Sequence, residues 1–137
     1  DHPETNFFHF NVDLAQGPCV IKRLRGCGAG CEYVAITPEG DIYPCHQFVG
    51  NEDYKLGSLY DGTFDKELSG RFAGLNIYTR EECRDCWARF YCSGGCSASN
   101  LLVNGDIKKP HRVGCELERK RLECAIALRA IAAGMAE

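Results

Sequence analysis

Ten cysteines in 137 residues constrain this chain more than any other feature: Cys19, Cys27, Cys31, Cys45, Cys83, Cys86, Cys92, Cys96, Cys115 and Cys124. A chain of this length is one ordinary domain with a modest apolar core, so its thiols must be bridged, bound to metal or buried singly. An even count in a small chain suits a disulfide scaffold when the protein is secreted. No basic start followed by an apolar run is visible, so no signal peptide is expected. A mature secreted chain would also lack its signal, however, and this one begins at Asp1, as a processed chain or a piece of a longer one would. Spacing has to decide.

The spacing favours metal. The run Cys83-x2-Cys86-x5-Cys92-x3-Cys96 is followed at a distance by Cys115. Residues three apart on a tight turn can face the same side, so a CxxC pair lets two thiolates converge on one centre. Iron–sulfur clusters take four thiolates each, and a local cysteine run often divides between two clusters. Ten cysteines suffice for two four-thiolate sites with two to spare. Gly94-Gly95 before Cys96, and the stretch Gly26-Cys27-Gly28-Ala29-Gly30-Cys31, place small residues where backbone must wrap a bulky inorganic core. Their N–H groups would be free to donate to cluster sulfurs.

Residues 32–37 are rich in strand formers, Pro38-Glu39-Gly40-Asp41 is turn chemistry, and residues 42–45 resume the strand. This reads as a β-hairpin. Cys31 and Cys45 sit at its two ends, which a hairpin returns to the same place. Residues 116–133 read as a helix with Leu117, Cys124, Leu128 and Ile131 on one apolar face, Gly114 before it and Gly134 closing it. A short helix is expected near residues 64–72 and one or two helical turns within 81–91. Residues 6–14 alternate loosely as a strand would, and Gln16-Gly17-Pro18 and Asn104-Gly105-Asp106 read as turns.

Net charge is −3, and the short basic runs at residues 21–25 and 119–121 read as solvated faces, so no nucleic-acid partner is expected. No stretch approaches the roughly 18 consecutive apolar residues of a membrane span. A cytoplasmic, membrane-free protein is expected.

These residues resemble a known family. Cys31-x8-Gly40-x4-Cys45, then Cys83-x2-Cys86-x5-Cys92-x3-Cys96, then Cys115, is similar to the seven-cysteine SPASM motif. SPASM domains are C-terminal extensions of radical S-adenosylmethionine enzymes that modify peptides, and they bind auxiliary 4Fe–4S clusters. The resemblance spans roughly residues 19–124 and includes Gly40-Asp41-Ile42-Tyr43-Pro44-Cys45 with Lys55-Leu56-Gly57 downstream. It is nearest to the maturases that form thioether crosslinks in six-cysteine (SCIFF) ranthipeptides. The first gap, eight residues before Gly40, is slightly shorter than the family pattern.

The resemblance implies an α+β fold: a small cysteine-rich domain over residues 19–137 with a β-hairpin, cluster-binding loops and a C-terminal helix. Residues 1–18 would be a linker or the tail of a catalytic domain. It further implies that Cys83, Cys86, Cys92 and Cys115 hold an outer cluster, and that Cys31, Cys45 and Cys96 hold an inner one. Cys27 is the first choice for the fourth inner ligand and Cys19 the second. With neither, an open iron could ligate a substrate cysteine. The implied cofactors are two 4Fe–4S clusters, with zinc as a substitute. The implied partners are a radical S-adenosylmethionine catalytic domain, a cysteine-rich precursor peptide and an external electron donor or acceptor. The catalytic triplet Cys-x3-Cys-x2-Cys is absent from the sequence: Val34 follows Cys27-x3-Cys31 at the third position, and Ser99 follows Cys92-x3-Cys96. S-adenosylmethionine would therefore bind only in the missing catalytic domain, and no activity is expected of this chain alone.

Plainer readings exist for several residues. The Cys83–Cys96 run could hold zinc in a structural or protein-interaction domain without a redox role. Cys124, on the helix face, reads as a buried thiol, and Cys19 as loop thiol or ligand. His46 reads as a hydrogen-bonding loop residue. Trp87, Phe90 and Tyr91 would shield a cluster from water, and Asp85 and Glu116 form no acid/base pair.

Overall fold

In a computed structural model the described residues are 7–16 and 19–134. The chain is α+β, with a four-stranded antiparallel sheet in the order β1-β2-β3-β4. Strands β1 (Ala35–Ile36) and β2 (Asp41–Tyr43) form the expected hairpin, in the register Ala35↔Tyr43 and Ile36↔Ile42. Its turn closes through Gly40 N–H donating to Thr37 O at 2.9 Å and Thr37 N–H donating to Asp41 O at 2.9 Å. Strands β3 (Gly57–Ser58) and β4 (Thr63–Phe64) add to the far side of β2, and the Lys55–Asp41 ion pair at 2.7 Å pins the crossing. At Gly57 a side chain is excluded: its φ is +148°, and an added Cβ would lie 2.1 Å from Thr63 O.

Among the described residues are five α-helices: α1 (Val20–Arg25), α2 (Lys66–Ala73), α3 (Arg89–Cys92), α4 (Ser97–Asn104) and α5 (Arg112–Ala132). Helix α2 starts at Asp65, whose carboxylate accepts from Leu68 N–H at 2.8 Å. Its buried face carries Leu68 and Phe72 onto Tyr43, Phe48 and Leu56 of the core. Phe48 and Phe72 meet edge-to-face at 5.4 Å, an arrangement that adds about 0.5–1.5 kcal/mol to area burial. Cys45 belongs to this core and Cys96 packs against it, so two of the thiols are fixed by the same packing that holds the sheet.

Three expectations are corrected. Residues 7–14 form no strand; Phe8–Phe10 is a 3-10 turn laid against α5, where Arg121 Nε donates to His9 O at 2.6 Å and Tyr91 Oη to Leu14 O at 3.3 Å. Loose alternation alone cannot make a strand without a partner edge to pair with. Asn6, Gly17 and Pro18 lie outside the described residues. The last helix begins at Arg112 rather than 116 and runs through Gly114 and Cys115. Asn100 Oδ1 accepts from His111 N–H at 3.0 Å and fixes the entry to that helix, a contact across eleven residues that local pattern does not reveal. The packed face of α5 also differs: Leu122 and Ala125 are buried, whereas Leu117, Leu128 and Ile131 are all more than half exposed and Cys124 is half-buried. The face is set by Cys115 turning inward, and Leu122 and Ala125 follow it at helical spacing. Among the described residues no helix is long and apolar enough to cross a membrane.

Candidate metal centre

The Cys83–Cys115 region is a chain of tight turns. Cys83 ends a 3-10 turn (Glu81–Cys83), and Cys86 N–H donates back to Cys83 O at 3.1 Å. Cys92 ends α3, and the chain then reverses through Ser93, Gly94 and Gly95, all at positive φ. That reversal turns Cys96 away to precede α4, while Cys92 stays behind. Cys115 arrives from the first turn of α5. Cys83, Cys86, Cys92 and Cys115 thereby line one cavity of about 420 Å³, walled by Ala88 and Arg89. Lys109, Arg112 and Arg119 stand on its rim with Glu82 and Glu118, a surplus of positive charge that suits an anionic occupant.

Burial pushes the Cys83 thiol up to about 11, against the pull of the Arg80 cation, with Cys92, Cys115 and Cys86 adding to the rise. Burial likewise raises Cys92 and Cys115. Thiols so shifted are protonated at neutral pH, so binding metal must release protons.

A second group forms around the glycine-rich loop. Gly30 N–H lies 2.9 Å from both Tyr33 O and Pro44 O, and Ser69 Oγ donates to Gly30 O at 2.7 Å. These bonds tie the loop bearing Cys27 and Cys31 to the end of β2, where Cys45 is buried. Tyr33 Oη donates to Cys27 Sγ at 3.7 Å, and burial followed by Cys27, Cys45 and Cys96 raises its phenol. Burial raises Cys45 too, with Cys96 and Cys27 contributing. Cys96 differs. Burial alone would raise it, but hydrogen bonds from Ser99, Ala98 and Gln47 outweigh this and hold the thiol below its ordinary value; Gln47 Nε2 lies 3.7 Å from its sulfur. Cys31 is exposed, raised by burial of its sulfur and by Glu32, and Cys27 adds to the rise.

Cys83, Cys86, Cys92 and Cys115 thus line one cavity, Cys92, Cys96 and Cys115 share a neighbouring one, and Cys27 and Cys31 lie on the loop tied to the strand end that carries Cys45. Cys19 is exposed. Among the described residues no group of three or more His, Cys, Asp or Glu side chains is placed to hold a metal ion.

Some roles shift. Trp87 is 52% exposed, so the wall expected of it is made by Ala88 and Arg89. Tyr91 is half-buried and lines a neighbouring cavity with Cys92 and Cys96. Glu116 accepts from Arg112 at 3.1 Å, and Asp85 is exposed. Tyr33, Gln47 and Arg80 were not singled out from sequence. Only the position of Tyr33 beside Cys31 offered any signal.

A family model described as SPASM, an iron–sulfur cluster-binding domain, matches residues 27–87. Over those residues the chain is similar to a SPASM domain. Similar proteins include an uncharacterized protein of Archaeoglobus fulgidus, 31% identical over 71% of this chain and 24% of its own length. The mycofactocin maturase MftC of Mycobacterium ulcerans is 31% identical over 77% of this chain and 29% of its own. The PqqA peptide cyclase of Xanthomonas axonopodis is 28% identical over 69% and 27%. The chain thus spans about a quarter of the length of these relatives.

Proposed function

We propose that this chain is the auxiliary cluster domain of a radical S-adenosylmethionine peptide maturase and holds two 4Fe–4S clusters. The observation that carries the reading is the single cavity ringed by Cys83, Cys86, Cys92 and Cys115. These four would hold the outer cluster, and Cys27, Cys31, Cys45 and Cys96 the inner one. Each cluster supplies one-electron transfer when bound. The chain's own part is to fix distance, potential and access. Cys45 and Cys96 are held by the hydrophobic core, Tyr33 orients the Cys27 sulfur, and Gln47 donates toward Cys96. The hydrogen bond to Cys27 favours a closed inner site that passes electrons over an open one that grips a substrate thiol.

Residues 1–18 would lead from the catalytic domain and residues 19–137 would form the cluster domain. The substrate would be a precursor peptide, in keeping with relatives named as a peptide cyclase and a maturase. A cysteine-rich peptide receiving thioether crosslinks, with an external electron donor or acceptor, is the specific form we favour.

Anaerobic isolation with iron, sulfide and zinc analysis tests this. Two four-iron clusters require about eight iron and eight sulfide per chain. About four iron after anaerobic reconstitution would remove the two-cluster reading, fewer than about four would defeat the cluster-domain reading altogether, and stoichiometric zinc in colourless protein would favour a structural metal domain instead. Cys27→Ser distinguishes the two forms of the inner site: loss of its cluster supports closure by Cys27, and full retention supports an open or Cys19-ligated iron.

A further inference from the structure

Arg80 is 2% exposed, yet among the described residues no carboxylate lies within ion-pair reach of it. Its Nη1 donates to Ile107 O at 2.6 Å and Lys108 O at 3.0 Å, and its Nη2 to Ser97 Oγ at 3.0 Å. Its Nε is buried without a partner. A guanidinium stays charged, and a buried charge with no counter-ion is costly. Negative charge supplied by another group would offset that cost.

The surroundings show where that charge would be. The aliphatic end and Nε of Arg80 press on Gly94, where an added Cβ would lie 2.7 Å from Arg80 Cδ and 2.8 Å from Nε. Gly94 lines the outer cavity beside Cys83 and Cys92. On its other side Arg80 holds Ser97, the residue next to Cys96 of the inner group. Its own carbonyl accepts from Cys83 N–H at 3.0 Å. Burial lowers the Arg80 pKa, and Cys83, Asp106, Cys92 and Cys96 oppose that fall. Asp106 is exposed, which leaves Cys83 as the one buried group among those named, with Cys92 and Cys96 half-buried.

We propose that Arg80 is the shared counter-cation of the two clusters, a positioning residue that raises both reduction potentials while tying the outer loop to α4. This rests on the two-cluster reading above. Reduction adds one negative charge to a cluster, so a fixed buried cation beside it favours the reduced form. Arg80 couples electrostatically to both sites from one position.

The test is a potentiometric titration of the full chain, loaded anaerobically with iron and sulfide and followed by electron paramagnetic resonance. Wild-type protein comes first: a single cluster or none removes the two-cluster reading itself, independently of Arg80. Arg80→Gln with both clusters loaded should shift both couples to more negative potential, and Arg80→Lys should restore them toward wild type. Unchanged potentials in Arg80→Gln, or a shift in only one couple, overturn the proposal. Should Arg80→Gln not load, Arg80→Lys decides. Loading with near-native potentials supports a role for the charge, and failure to load shows that only the shape of the guanidinium matters.

Discussion

Which single residues the centre depends on follows from what each side chain touches. Gly94 sits at φ +87° with Arg80 in the space a side chain would need. Gly94→Ala should therefore destabilise the protein by about 1–3 kcal/mol, from left-handed strain and displacement of Arg80, read as a lower denaturant midpoint. No change in midpoint would mean that Arg80 moves aside freely. The cysteines divide more sharply: Cys83→Ser should remove about half of the bound iron, as expected if four thiolates hold each of two clusters, while Cys124→Ser should remove none. Iron analysis of the two variants side by side checks both. At this scale the cysteines were readable because their order along the chain carries the signal. Gln47 and Arg80 were not, because each acts through a contact remote from local pattern. Gln47 reaches Cys96 across 49 positions and Arg80 reaches Ile107 across 27.

Elements were legible where a local rule was enough to form them. The hairpin of β1 and β2 follows from its Pro-Glu-Gly-Asp turn, and the short helix expected near residues 64–72 is α2, which the structure shows capped by Asp65. Strands β3 and β4 have two residues each, too few for alternation to register, and they exist because β2 offers an edge. The start of α5 depends on Asn100 and was misplaced for that reason. Helix α2 gives a test of independence between core and centre. Asp65→Ala removes its N-cap and should cost about 1 kcal/mol of stability, as such caps usually do. Asp65 lines neither group of thiols, so bound iron per chain should stay at the wild-type value. A proportional loss of iron would show that α2 and the cluster sites fold as one unit.

Across the whole molecule the two groups of thiols stand in different relation to the apolar core. Cys45 is part of that core and Cys96 packs on it, whereas none of Cys83, Cys86, Cys92 and Cys115 belongs to it. The outer group stands apart from that cluster and is held by turns, by Arg80 and by the first turn of α5. Segments with few buried apolar contacts open at low free energy unless something else closes them. Iron would do so, because binding energy at a preorganised thiol site adds to folding energy. Removal of iron with a chelator under reducing conditions should therefore act unevenly. Amides of residues 81–96 and the start of α5 should exchange much faster, roughly tenfold or more for each 1.4 kcal/mol of lost protection. Amides of β2, β3 and α2 should keep most of theirs, since Leu56, Phe48 and Phe72 stay packed without metal. Hydrogen exchange read by mass spectrometry resolves these segments. Equal loss everywhere would mean that the core cannot stand without its clusters, and loss confined to residues 26–33 would mean that the inner site is the weaker one.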